Sequence, residues 1–320
     1  MIINNITEIN SGPLFLQLKN IINSDYLFLK LEGLNIATSI KLKPAIKMVE
    51  KIERTYNTSA NNTIIICSSS GNLGIAISIV CKQKGYQAIC VSDPNISYEA
   101  KKLIRLYGGK LYIVKKKDAN GGYLLTRINL IKNLLSKIKN SYWVNQYENE
   151  ENINTHYTAT APEILKEINK VDYLFIGAGT TGTLGGCSKY FREFSPQTKI
   201  IAVDAEGSVT FNQLPKRRKI PGLGTSHRPP LAQFSTYDKL IFVPEETTIK
   251  TAYQLLHNHG LFLGGSACSV VSAVIQCNPT FKKNDTIVAI IPDFGFKYIN
   301  TIYNKTWLEK YFPNLQPETV

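Results

Sequence analysis

The chain has 320 residues, 43% of them hydrophobic and 19% charged, with 37 Lys and Arg against 24 Asp and Glu for a formal net charge of +13. That apolar content, with 21 Gly and 14 Pro scattered along the chain, excludes a fibrous or largely disordered protein and leaves ample material for a core. The six cysteines, at 67, 81, 90, 187, 268 and 277, have no C-x-x-C spacing and lie mostly in apolar runs, which excludes a disulfide scaffold and reads as buried thiols of a cytoplasmic protein.

The first ten residues lack the basic lead and apolar block of a signal peptide. Residues 55–81 carry no charge, but Ser68 to Asn72 divide them into a strand and a helix. Gly264, Gly265 and Ser266 divide the uncharged stretch 258–281 in the same way, so no membrane span is expected and the protein reads as soluble. The basic excess includes Lys115-Lys116-Lys117 and Lys216-Arg217-Arg218-Lys219. Without interleaved aromatics these runs read as solvated faces able to attract phosphorylated or carboxylate substrates, and no nucleic-acid partner is expected. His257 and His259 have no further ligands at metal-site spacing, so no metal is expected.

In chain order, Tyr26 to Glu32 reads as an early strand and Gly33 to Thr38 as a loop. A helical pattern starts at Ser39, a plausible N-cap, with Pro44 in its first turns. Thr63 to Cys67 is a β-branched strand, followed by the loop Ser68 to Gly74 and a helix from Ile75 to Lys84. Strand Ala88 to Val91, a helix through Tyr107, strand Leu111 to Val114 and a long helix from Tyr123 to Lys139 complete the first half. A polar loop, Asn145 to Asn154, precedes a helix around Thr158 to Ile168. Strand Tyr173 to Ile176 then breaks into Gly177 to Thr183 and a helix to Phe194, and strand Ile200 to Val203 follows. Lys216 to Pro230 is a long loop with no element of its own, a length that signals function. Strand Lys239 to Val243, helix Thr248 to His257, a helix from Ser266 and strand Thr286 to Ile291 lead to the tail Trp307 to Val320. This alternation predicts an α/β fold with parallel sheets, its halves meeting near residues 145–150.

Three units repeat one design of strand, small-residue loop and helix, with loops Ser68 to Gly74, Gly177 to Thr183 and Gly264 to Ser269. Such loops gather at the carboxyl ends of parallel strands, where ligands bind. The middle loop, at a helix N-terminus, makes an anion cradle, most often one for phosphate. Gly177, Gly179 and Gly182 also spell G-x-G-x-x-G, with Asp204 ending a later strand, so a nicotinamide oxidoreductase competes on this motif alone. Lys41 opens an apolar helix, where a lysine is costly unless it snorkels or has a chemical task such as Schiff-base formation. With Lys43 and Lys47 nearby, a solvated Lys41 is the competing reading.

Nearly the whole chain resembles the fold-type II pyridoxal-phosphate enzymes of the cysteine synthase and cystathionine β-synthase group. Asn35 to Lys43 is similar to that family's N-P-x-G-S-V-K-D-R segment, with Lys41 at the Schiff-base lysine. Ser69 to Gly74 resembles its T-S-G-N-T-G substrate loop, Gly179 to Thr183 its phosphate loop, and Gly265-Ser266 its pyridine-nitrogen serine. Asn145-Gln146-Tyr147 and Thr160 to Ile164 resemble two further signatures. Departures are Leu42-Lys43 in place of Asp-Arg, Ile36 and Thr38 in place of Pro and Gly, Gly12 in place of Thr, and Cys268 in a glycine place. The first of these removes an expected structural ion pair. In the 216–230 loop, His227-Arg228 stands where one arginine directly after the serine is expected. Within the family, Asp118 to Arg127, Tyr142 to Tyr147, Val203 to Val209, Pro221 to Gly224 and Thr306 to Lys310 are similar to enzymes that join O-phosphoserine to glutamate on the way to 2,3-diaminopropionate.

The resemblance implies a fold-type II architecture of two parallel-sheet α/β subdomains with the active site between them. Residues 1–38 and 147–320 would form the larger, phosphate-binding domain, and 39–146 a smaller, mobile one. It implies pyridoxal 5'-phosphate on Lys41, its phosphate on Gly179, Thr180, Thr181, Gly182 and Thr183, its ring nitrogen at Ser266 and its ring oxygen at Asn72. The amino-acid carboxylate would sit on Ser69, Ser70, Gly71, Leu73 and Gln146, and Ser226, His227 or Arg228 would bind a leaving phosphate, although Arg228 reads equally as a solvated charge. The implied activity is β-replacement on an activated serine, with small-molecule amino-acid substrates and a homodimer. Three alternatives stay open: a cysteine synthase using sulfide, a nicotinamide enzyme, and a non-catalytic partner protein on the same fold.

Overall fold

The computed structural model describes residues 5–9, 12–119 and 121–315. The signal-peptide reading rests in part on residues outside that range, as does the end of the tail after Leu315. In chain order the first elements are β1 (Phe15–Leu18), β2 (Tyr26–Leu31), α1 (Leu42–Tyr56), β3 (Ile64–Ser68), α2 (Asn72–Lys84) and β4 (Gln87–Ser92). Next come α3 (Tyr98–Leu106), β5 (Lys110–Ile113), α4 (Leu124–Lys137), β6 (Ser141–Trp143), α5 (Glu151–Thr155) and α6 (Ala161–Glu167). The rest are β7 (Tyr173–Gly177), α7 (Gly182–Phe194), β8 (Lys199–Ala205), β9 (Lys239–Val243), α8 (Glu245–His259), α9 (Gly265–Cys277), β10 (Thr286–Ile291) and α10 (Lys305–Tyr311).

The strands form two sheets, one in the order β1-β2-β10-β7-β8-β9 and one in the order β5-β4-β3-β6. All neighbours are parallel except β1 and β2, an antiparallel edge pair that the parallel expectation did not include. β-branched runs such as Ile64-Ile65-Ile66 suit strands buried on both faces by helices. Each of the two charge-free stretches contains most or all of a core helix, α2 in one and α9 in the other. Residues 73–81 of α2 and 265–274 of α9 are all buried, and no helix among the described residues is long and apolar enough to cross a membrane.

Three sequence expectations need correction. Ser39 does not cap α1: its backbone bridges to Asp293, and the helix starts at Leu42 with Lys41 as its N-cap. The polar segment 145–154 is only partly loop, because Glu151 already begins α5, which continues through a π-helical turn (His156–Thr160) into α6. Helix α2 starts at Asn72, inside the expected loop, so that residue's side chain is set by helical geometry. The 216–230 loop does lack regular structure until the short 3-10 turn at Pro230–Phe234.

Candidate functional site

The C-terminal ends of β3, β7 and β10 converge on one cavity of about 500 Å3, lined from both sheets. Each of the three small-residue loops reaches it, as Asn72, Thr181 and Ser266 all line its wall. This is the placement that parallel α/β topology gives to ligand sites.

Lys41 lines the cavity where the chain is pinned just before α1. Asn35 fixes that segment, its amide donating to the carbonyls of Glu32 and Ser39 at 2.9 Å each. The Ile40 N–H donates to the Pro292 carbonyl at 2.8 Å. Burial pushes the Lys41 amine down to about 8, because removal from water disfavours the ammonium. Its neighbour Lys43 turns away into a buried network, pairing with Glu32 at 3.1 Å and Glu163 at 2.8 Å. Lys30 completes the quartet at 2.7 Å from Glu32 and 2.6 Å from Glu163. An ion pair therefore survives at this place despite Leu42-Lys43, contrary to the expected loss.

Thr180, Thr181 and Thr183, with Gly179 and Gly182, wrap the N-terminus of α7. Thr181 holds φ +65, an uncommon conformation for a threonine, and the first helical N–H groups have no acceptor within the helix. Gly182 is required by contact, since a Cβ there would meet the Asn152 side chain at 2.4 Å. Asn152 in turn donates to Thr180 Oγ1 at 2.9 Å and to the Gln146 carbonyl at 2.7 Å. Behind Thr183, the buried His156 places Nε2 at 3.2 Å from its hydroxyl.

On the opposite wall, Ser69, Ser70, Gly71, Asn72 and Leu73 line the cavity together with Gln146. Gln146 Nε2 donates to the Ser68 carbonyl at 2.7 Å, which fixes its amide beside the loop. Asn72 Nδ2 donates to Asp293 Oδ2 at 2.8 Å, and Tyr298 donates to the same oxygen at 2.8 Å. Ser266, at the start of α9, is 4% exposed and has no protein hydrogen-bond partner among the described residues. Gly222, at φ +118, packs its backbone over it, where a Cβ would approach Ser266 Cβ to 2.9 Å.

The structure divides the expected phosphate group. Ser226 lines the cavity, but His227 and Arg228 are exposed and not part of its lining, with Arg228 at 3.4 Å from Asn212 Oδ1. The cations that do line it are Lys41, Lys117, Arg127, Lys297 and the run Lys216 to Lys219, so parts of both basic runs read as solvated faces meet at its rim. Arg127, on α4, is buried with Nη1 at 3.3 Å from Asp93 Oδ2, and its Nε and Nη1 lack hydrogen-bond partners. Sequence reasoning passed over Arg127, Asn152, His156, Asp293, Lys297 and Tyr298 as site residues. The one available signal was that Arg127 closes the stretch beginning at Asp118 that carried the family resemblance.

Comparison with known proteins gives the same family. A family profile described as pyridoxal-phosphate dependent enzyme matches residues 12–293. O-Ureido-L-serine synthase is similar in structure at a TM-score of 0.85 and 25% identity, the match covering 100% of this chain and 99% of that one. A hydrogen sulfide-producing enzyme from Fusobacterium nucleatum has a TM-score of 0.86 and 26% identity, covering 93% of this chain and 100% of that one. The O-acetylserine dependent cystathionine β-synthase from Helicobacter pylori, at 24% identity, a TM-score of 0.86 and coverage of 95% and 100%, shares the fold.

The residues fit that coenzyme. A half-buried Lys41 whose amine pKa is lowered to about 8, a threonine-lined helix N-terminus and a serine hydroxyl at Ser266 line one cavity, matching an aldehyde, a phosphate and a pyridine nitrogen. The nicotinamide reading fails on the family and on geometry. Asp204 is wholly buried, does not line the cavity and accepts from its neighbour Ala205 N–H at 2.8 Å, while burial raises its pKa to about 6.

Proposed function

The chain belongs to the pyridoxal-phosphate dependent enzyme family, and we propose that it catalyses β-replacement on O-phospho-L-serine with the amine of L-glutamate. The product is N-(2-amino-2-carboxyethyl)-L-glutamate, the precursor of 2,3-diaminopropionate that the branch resemblance implies. The observation that carries the choice of donor is Arg127, a guanidinium buried in the cavity wall with donor atoms left without a hydrogen-bond partner. A buried fork of N–H donors is matched by a phosphate dianion rather than by a neutral acetyl or ureido group.

Pyridoxal phosphate supplies an electron sink that acidifies the α-proton of the joined amino acid. Gly179 to Thr183 would hold its phosphate, Ser266 its pyridine nitrogen, Asn72 its ring oxygen and Lys41 its aldehyde. Ser69 to Leu73 and Gln146 hold the substrate carboxylate. Lys41 Nζ, its pKa brought down to about 8 by burial so that a substantial fraction is the neutral amine, would take the α-proton. Arg127 stabilises the departing phosphate, and Ser226 lines the same cavity. Lys117 and Arg217 at the rim raise the local concentration of an acidic second substrate such as glutamate. Residues 39–146 act as the mobile domain against 1–38 and 147–320, in a homodimer in the cytoplasm.

Mass analysis of product from O-phosphoserine or O-acetylserine, each offered glutamate, sulfide or neither, tests this reading. The glutamate adduct from O-phosphoserine is the expected result. Cysteine as the preferred product with sulfide would replace it with the cysteine synthase reading.

A further inference from the structure

A phosphate dianion carries no proton, so every hydroxyl that binds it must donate. Thr183 lines the cradle with its hydroxyl 3.2 Å from His156 Nε2. Its single proton can go either to the ring or to the anion. His156 is wholly buried in the π-helical turn His156–Thr160, and its Nδ1 lies 2.9 Å from Thr160 Oγ1. Burial and the nearby charges of Lys41, Lys43 and Lys30 hold the ring neutral, so one nitrogen donates and the other accepts.

We propose that His156 is a positioning residue of the phosphate cradle, held with its proton on Nε2 so that it donates to Thr183 and frees the Thr183 hydroxyl proton for the bound anion. Nδ1 then accepts from the Thr160 hydroxyl, and the direction of the chain is Thr160 to His156 to Thr183 to phosphate. The opposite tautomer donates to Thr160 and consumes the Thr183 proton, leaving an oxygen lone pair facing the anion. The π-helical turn carries both Thr160 and His156 and sets them behind α7. The inference rests on the cradle taking the coenzyme's phosphate, and it adds the residue that fixes the polarity of one of its donors.

The test compares the affinity of cofactor-free protein for pyridoxal phosphate and for pyridoxal, which lacks the phosphate. His156→Phe is expected to weaken pyridoxal phosphate binding about ten- to hundredfold and to leave pyridoxal within about twofold. His156→Gln, whose amide sits near Nε2, is expected to restore most of the difference, and His156→Asn, which mimics Nδ1, to restore little. Nitrogen-15 spectra of the holoprotein, simple to assign with four histidines in the chain, are expected to show the proton on Nε2. Equal losses for both ligands, no loss for either, or a proton on Nδ1 would overturn the assignment; the spectra decide it even if the Phe variant does not fold. Wild-type protein that binds pyridoxal as tightly as its phosphate would instead overturn the cradle reading itself.

Discussion

Asn72 and Asp293 are 221 residues apart in sequence, yet the Asn72 amide donates to the Asp293 carboxylate at 2.8 Å. One residue opens α2 beside the smaller sheet, and the other follows β10 of the larger sheet, so the bond ties the two layers at the cavity. Tyr298 donates to the same oxygen and Lys297 lies 3.7 Å from it, while the other carboxylate oxygen is buried without a partner. A charge-assisted bond in such surroundings is worth roughly 1.5–3 kcal/mol. A double-mutant cycle of Asn72→Ala and Asp293→Ala, read by denaturant unfolding, is expected to give a coupling of that order, with faster amide exchange in α2. Additive single effects would mean the two layers are not linked through this bond.

The quartet of Lys30, Glu32, Lys43 and Glu163 sits beneath the start of α1 and fixes the backbone that carries Lys41. Burial opposes the Glu163 charge, but Lys43 and Lys30 outweigh it and hold its carboxyl below the usual range. A depressed carboxyl stabilises the fold above about pH 4.5 and loses that contribution as pH falls through its lowered value. Lys30 is the mirror case: burial acts against it, but Glu32 and Glu163 raise it, so its contribution is lost only at strongly alkaline pH. Glu163→Gln is expected to cost about 3–5 kcal/mol near neutral pH, because it leaves two buried ammonium groups sharing the single carboxylate of Glu32, one charge uncompensated. The gap to wild type should shrink in acid unfolding titrations below pH 4. A constant gap across that range would remove the electrostatic account.

This quartet also marks what a sequence can and cannot show. Lys43 in place of an arginine reads as a lost ion pair because its partners, Glu32 and Glu163, come from distant segments that only the fold brings together. The strand–loop–helix units were legible because clusters of glycine and small hydroxyl residues between apolar runs interrupt strand and helix patterns wherever they occur. Lys41 and Ser266 were legible only through their order relative to those loops. Ser226 lines the cavity while His227 and Arg228 are exposed outside its lining, a difference that a loop without periodicity does not reveal. Arg127 was hidden by the opposite problem: on an amphipathic helix an arginine reads as a solvated charge, and its burial against Asp93 is purely tertiary. His156 was silent because a lone histidine in a polar segment has no local signature, and the π-helical turn that aims it was not expected.

Arg127→Lys keeps a charge beside Asp93 but replaces the planar fork with a point donor. Its expected effect is a rise in KM for O-phosphoserine of about tenfold or more, with turnover of O-acetylserine changed by less than about threefold. Added salt should weaken use of the phosphorylated donor in wild-type enzyme more than use of the acetylated one, because the rim cations Lys117 and Arg217 attract an anionic donor as well as glutamate, whereas the acetylated donor carries no net charge. Equal effects on both donors would show that Arg127 braces the wall without meeting the leaving group.

Lys41 supplies the remaining prediction, through the pH dependence of cofactor uptake. A solvated lysine loses its proton near pH 10.4, whereas burial brings Lys41 down to about 8. Only the neutral amine attacks an aldehyde, so the uptake rate of cofactor-free protein is expected to rise with pH up to about 8 and then level off. The same shift fixes a stability trend. Between about pH 8 and 10.4 the unfolded chain holds a proton on this lysine that the folded protein has released, so this group makes the cofactor-free fold more stable as pH rises through that window. Lys41→Met should remove both the uptake and this share of the pH dependence, since it leaves an apolar side chain of similar length in the same wall. Stopped-flow absorbance after mixing with pyridoxal phosphate measures the first effect, and urea unfolding at three pH values the second. A rate that climbs unbroken to pH 10 would return Lys41 to the ordinary, water-exposed lysine that its neighbours Lys43 and Lys47 first made the simpler reading.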